Sequence, residues 1–176
     1  MITTAAPSRD DKSVNGLLLA TLFVSGILMV REGAHFDNVI EGWPFFTGAF
    51  FIGTLLGFAC WSFTFGIPPS LKFTGAYRQP WLAALVMGLL TTVSVSYINR
   101  TFAAPPDRTI TGNIEIVDEG KGDRWHVTVT TPDGRYQRYL ITKAVAEELK
   151  DKRQVRMSIA RGALGFDLVS KFEPQK

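Results

Sequence analysis

Residues 43–66 read WPFFTGAFFIGTLLGFACWSFTFG and contain no charged side chain. About 20 consecutive apolar residues are what a hydrocarbon layer of about 30 Å requires of a helix, so this run predicts a transmembrane span. Pro44 suits its first turn, where a missing N–H costs nothing, and Trp43 suits the headgroup layer. The span is expected over 44–66.

Two further runs flank it. Val14–Val30 predicts a first span over 14–30, closed by Arg31 and Glu32, and 80–98 predicts a third that opens at Pro80. A cleaved signal peptide is the rival for the first run, but Asp10 and Asp11 spoil its positive region. Residues 1–13 read as a flexible polar tail.

Small residues recur every fourth position on spans two and three: Ala49, Gly53 and Gly57, then Ala84, Gly88, Thr92 and Ser96. Such tracks let backbones approach closely where lipid supplies no hydrophobic drive, so these seven are the candidate helix-packing residues, either between the two spans or in a homo-oligomer. Phe45, Phe46, Phe50, Phe51, Phe58, Phe63 and Phe65 form the flanks and are expected mostly to meet lipid or span one. No span carries an ionisable residue in its middle, which argues against ion-coupled transport.

Charge divides the chain into unlike halves. Up to Ala104 there are six Lys/Arg and five Asp/Glu, against 13 and 11 in the 72 residues from Pro105 onward. The tail is therefore a solvated domain, and a net surplus of three positive charges over the chain points to no nucleic-acid partner. A linker over 105–108 leads into a β-rich domain over 109–172. There Ile110, Gly112, Ile114 and Ile116 alternate with polar residues on one strand, and Trp125, Val127 and Val129 on the next. Thr131–Gly134 suits a type I turn whose glycine is left-handed, which would set Val129 opposite Gln137 and Val127 opposite Tyr139. Thr142 caps a short helix over 143–150, and two more strands follow around the turn at 161–165. The fold class expected is three transmembrane helices followed by a small β domain in the order βββαββ of an OB-like barrel. A curved five-stranded sheet with a helix over one end would share that order.

Candidate sites are few. His126, Tyr136 and Arg138 are expected on one sheet face, a possible partner-binding surface, although an amphipathic face with solvated Tyr and Arg would read the same way. The first connector, 31–43, holds Glu32, His35, Asp37 and Glu41, which are more naturally scattered loop charges than a metal site. The glycine-bearing turns at 120–122 and 162–165 lack the strand-to-helix setting of a phosphate cradle. No catalytic residue, metal ligand set or cofactor motif can be nominated, and Cys60 alone makes no intrachain disulfide. Asn99-Arg100-Thr101 matches a glycosylation sequon.

The segments DGRYQRYLITKAVAEEL and VRMSIARGALGFDLV, set behind a few apolar helices, resemble a loose group of uncharacterised bacterial inner-membrane proteins over residues 112–169. That resemblance implies a multi-pass bacterial inner-membrane location and carries no functional residues. Lys/Arg counts at the span ends favour a cytoplasmic N-terminus and a periplasmic β domain: Arg9, Lys12, Lys72 and Arg78 on one side against Arg31, Arg100 and Arg108 on the other. The functional expectation is a non-enzymatic scaffold or accessory subunit whose partners are the bilayer and a docked protein or second copy. The alternative is a tethered OB-like ligand-sensing or nucleic-acid-binding module at the cytoplasmic face.

Overall fold

The structure is a computed structural model that describes residues 9–40, 42–65, 80–120 and 124–175. Three long helices, α1 (Arg9–Phe36), α2 (Gly42–Phe65) and α3 (Pro80–Thr101), precede β1 (Arg108–Glu119), β2 (Trp125–Thr130), β3 (Tyr136–Ile141), α4 (Lys143–Leu149), β4 (Gln154–Arg161) and β5 (Asp167–Pro174). The chain forms two compact units, one of Met1–Val30 and Phe46–Ser94, the other of Arg31–Phe45 and Val95–Lys176. The connector between the first two helices thus groups with the β domain.

Each of the three long helices is long and apolar enough to cross a membrane, over Gly16–Gly33, Gly42–Thr64 and Pro80–Thr101. α1 overruns its apolar stretch at both ends. Residues 9–13, expected in a flexible tail, are its first turn and beyond, since a polar sequence without Pro or Gly extends a helix that is already nucleated. The turn-rich connector at 67–79, with Lys72, Tyr77 and Arg78, lies outside the described residues, as do Glu41 and 121–123.

In the first unit α2 and α3 pack through their glycines. A Cβ on Gly53 would lie 2.5 Å from Thr91 Oγ1 and 2.7 Å from the Met87 carbonyl, and one on Gly57 would lie 2.7 Å from Met87 Cβ. On the opposing helix, a Cβ on Gly88 would strike Thr54 Oγ1 and the Phe50 ring. Each glycine therefore receives a larger side chain of its neighbour, and Phe50, expected toward lipid or span one, fills the notch at Gly88.

The second unit is built on an antiparallel half-barrel in the order β3-β2-β1-β4-β5. The turn Thr131–Gly134 closes as read: Gly134 has φ +81° and its N–H donates to Thr131 O at 2.9 Å, so Val129 pairs with Gln137 and Val127 with Tyr139. Val127, Val129, Val155, Met157 and Ile159 alternate into a core that Leu149 and Ala146 of α4 cover. Thr142 caps α4 by accepting from Val145 N at 3.4 Å. Fully burying side chains of this size contributes about 1.5–3 kcal/mol each.

One strand departs from simple alternation. A bulge between Ile114 and Ile116 shifts the β1–β2 register, so Ile116 points outward at 53% exposure and Val117 turns to the core instead. An extra residue on one strand reverses the faces beyond it, which a period-of-two reading from Ile110 cannot foresee.

Candidate functional site

The half-barrel leaves β3 and β5 as its edges, and the connector joins them. Asn38 serves both: its backbone carbonyl accepts from Val169 N of β5 at 2.9 Å, and its side-chain oxygen accepts from Leu140 N of β3 at 2.8 Å. Val39 forms an antiparallel bridge with Leu168, and Ile40 N donates to Asp167 O at 2.8 Å. From the β3 side, Gln137 Nε2 donates to the carbonyls of Asp37 and Val39 at 3.2 and 2.9 Å. Exposed sheet edges invite foreign strands, and four connector residues here satisfy parts of both. Ile40 adds its side chain to the barrel core.

The end of α3 makes a second attachment. Asn99 is fully buried; its Oδ1 accepts from Leu164 N at 3.0 Å, its Nδ2 donates to Phe166 O at 3.1 Å, and its carbonyl accepts from Ala163 N at 3.2 Å. Every polar group of this side chain is engaged by the β4–β5 turn, so the sequon asparagine is a structural pin with no side chain free to carry a glycan. Phe45 stacks on Phe166 at a centroid separation of 3.8 Å.

Glu32 belongs to the same unit and is 6% exposed. It accepts from Ser96 Oγ at 2.9 Å and pairs with Arg100 at 3.3 Å. Ser96, the last member of the small-residue track, therefore meets a carboxylate of α1. The other candidate packing residues, Ala49, Gly53, Gly57, Ala84, Gly88 and Thr92, are all buried, and the Thr92 hydroxyl bonds back to Gly88 O at 2.9 Å within its own helix.

His126, Tyr136 and Arg138 share one side of the β2–β3 pair, as expected, through the register His126↔Leu140, Thr128↔Arg138 and Thr130↔Tyr136, but they differ in exposure. Tyr136 is 67% exposed and Arg138 stands out beside it, holding Asp118 Oδ2 at 2.7 Å. His126, expected to be exposed, is instead largely buried: Asp37 of the connector approaches its Nε2 at 3.9 Å, and its Nδ1 has no partner among the described residues. Burial lowers the His126 pKa, with Arg138 acting in the same direction and Asp37 and Asp118 opposing. Burial likewise raises that of Asp37, against the pull of His126, Arg138 and Arg124. The pair is thus most stable uncharged on the histidine, a packing contact more than an ion pair.

Two of the connector's carboxylates are engaged structurally, Glu32 by Ser96 and Arg100 and Asp37 beside His126 of the sheet, and among the described residues no group of three or more His, Cys, Asp or Glu side chains is placed to hold a metal ion. Sequence reasoning missed Asn38, Gln137 and Asn99. Their only signal was amide side chains beside helix ends and strand starts, a signal shared by any capping residue. No protein-family model matches the chain, and no curated protein or solved structure matches it.

Proposed function

We propose that the chain is a three-span bacterial inner-membrane protein whose β domain, an OB-type barrel, docks a protein partner as a non-enzymatic accessory or scaffold subunit. The observation that carries this reading is the double anchorage of the half-barrel by Asn38 and Asn99, which leaves Tyr136 and Arg138 exposed on a sheet held by its own chain at both places. A surface held rigid loses little entropy on binding, and Tyr and Arg are residue types over-represented among interface hot spots.

The sheet order, with α4 between β3 and β4, supports the OB-type assignment. The hydrogen bonds between the connector and the β domain support insertion of both later helices, because two crossings return the chain to the connector's side. The Lys/Arg bias supports a periplasmic β domain.

The test is a photo-reactive residue at Tyr136 in native membranes, compared with one at Glu147 on exposed α4. A single crosslinked species from position 136, lost in Arg138→Glu, is the expected result. Equal patterns from both positions, or none from 136, count against docking at this face.

A further inference from the structure

The β2–β3 and β4–β5 turns differ in chemistry. Thr131-Pro132-Asp133-Gly134 has the polar composition of a turn in water, whereas Gly162-Ala163-Leu164-Gly165 has no polar side chain, although Ala163, Leu164 and Gly165 are all exposed. Its backbone donors are engaged within the protein: Gly162 N donates to Phe166 O at 3.0 Å, Ala163 N to Asn99 O at 3.2 Å, Leu164 N to Asn99 Oδ1 at 3.0 Å and Gly165 N to Gly162 O at 2.9 Å. A turn facing water can leave its N–H groups to solvent, but one in a layer poor in water must satisfy them itself.

The attachments set the depth of this turn. Asn99 stands two residues before Thr101, where the apolar run of α3 ends, and so lies about 3 Å inside that end at about 1.5 Å per residue. Phe166, which closes the turn, stacks on Phe45, three residues into the apolar run of α2 that begins at Gly42. In a chain whose α2 and α3 cross the membrane, the turn is therefore held level with the span ends and not above them. Trp43 and Tyr97, both exposed beside those ends, are the residue types of an interfacial aromatic belt. Leu164 is 42% exposed and Phe102 is 68% exposed. The chain after Phe102 runs beside the turn, since Ala104 N donates to Arg161 O at 2.9 Å.

We infer that the β4–β5 turn is a membrane-contacting element: Ala163 and Leu164, with Phe102, enter the boundary between lipid headgroups and acyl chains, and the partner of this surface is the bilayer itself. The inference rests on the proposed crossing of α2 and α3 and goes beyond it, because a β domain on a linker could equally stand clear of the lipid.

The test places single nitroxide labels on the full chain in liposomes of phosphatidylethanolamine and phosphatidylglycerol, after Cys60→Ser removes the only native thiol. Labels enter through Leu164→Cys, Phe102→Cys, Lys152→Cys before the other end of β4, and Leu55→Cys at an exposed position of α2. Leu164 bonds Asn99 through its backbone N–H, so Leu164→Cys keeps the attachment, and amide protection of Val169 verifies that the sheet is intact. Collision with oxygen relative to a water-soluble nickel chelate should place 164 and 102 within about 5–10 Å below the lipid phosphates, the depth of interfacial apolar side chains, with 152 in water and 55 deeper. A label at 164 that reads like 152 while 55 stays deep would overturn the inference and leave the crossings intact. A label at 164 shielded from both reagents would overturn it too, because protein would then cover the turn. Water at 55 would overturn the crossings and the inference together.

Discussion

Asn99 occupies the space that a side chain at position 162 would need: a Cβ built on Gly162 collides with the Asn99 carboxamide. The absent side chain is what lets α3 end against the β4–β5 turn. Gly162→Ala should therefore cost about 1–3 kcal/mol, the usual toll of forcing a methyl into a packed site. Asn99→Ala strands the Leu164 N–H and one acceptor, for a comparable loss. Since the two changes share one contact, the double variant should be more stable than the sum of the two losses implies, measured by hydrogen exchange across β4 and β5.

Removing the side chain of Asn38 separates its two functions. Asn38→Ala keeps the carbonyl that receives Val169 N but loses the acceptor for Leu140 N. Exchange of the Leu140 amide should rise by about tenfold, corresponding to roughly 1.4 kcal/mol, while Val169 stays protected. Equal deprotection of both amides would mean that the connector detaches as a whole.

The connector contact should respond to pH through His126. Its folded pKa lies below the ordinary 6.5, so its contribution is present above 6.5 and is lost as pH falls through the lowered value. Asp37 has the opposite sign, because its pKa is raised above 3.8 and its carboxyl is better accommodated when protonated. Acidification from neutral pH should first increase exchange at Leu140 and then, toward the carboxylate range, increase it less steeply. His126→Gln should abolish the first phase. Asp37→Asn should move it to lower pH, because the carboxylate that raises the histidine pKa is gone.

Packing of α2 against α3 gives a fourth expectation. Gly53→Leu must displace the Met87 backbone carbonyl, and Gly88→Leu must displace Phe50 and Thr54, whereas Phe51 is on the outer side of its helix. Both glycine variants should lower the thermal midpoint in detergent by several degrees, and Phe51→Leu should not. Three identical midpoints would contradict the interlocked glycines.

Orientation can be read with a reporter fused after Lys176. A reporter active only in the periplasm should give signal, and its cytoplasmic counterpart should stay silent. The reverse pattern would place the β domain in the cytoplasm and reopen the alternative of a cytosolic ligand.

What the sequence made legible was local. Apolar length defined α2, Pro80 marked the start of α3, and the Asp133-Gly134 turn carried the β2–β3 register because φ +81° is available to glycine at little cost. Thr142 announced α4 by ordinary capping chemistry. The missed features share long sequence separation. Asn38 and Leu140 are 102 residues apart and Asn99 and Leu164 are 65 apart, so no periodicity or turn rule links them. His126 was misplaced for the same reason, since strand alternation put it on an outer face but could not show that Asp37 would cover that face. At Ile116 the failure was local: one bulge inverted the alternation.

The bridge from Val39 to Leu168 has a consequence for biosynthesis. The connector is translated before α2 and α3, and the strands it joins are translated after them. In a chain inserted as proposed, the bridge can form only after both intervening helices have crossed, so a misthreaded molecule would keep β3 and β5 as open edges. In such a chain, covering of the half-barrel edges would report correct threading, and edges left open would mark failed molecules to chaperones and proteases that recognise unpaired strands.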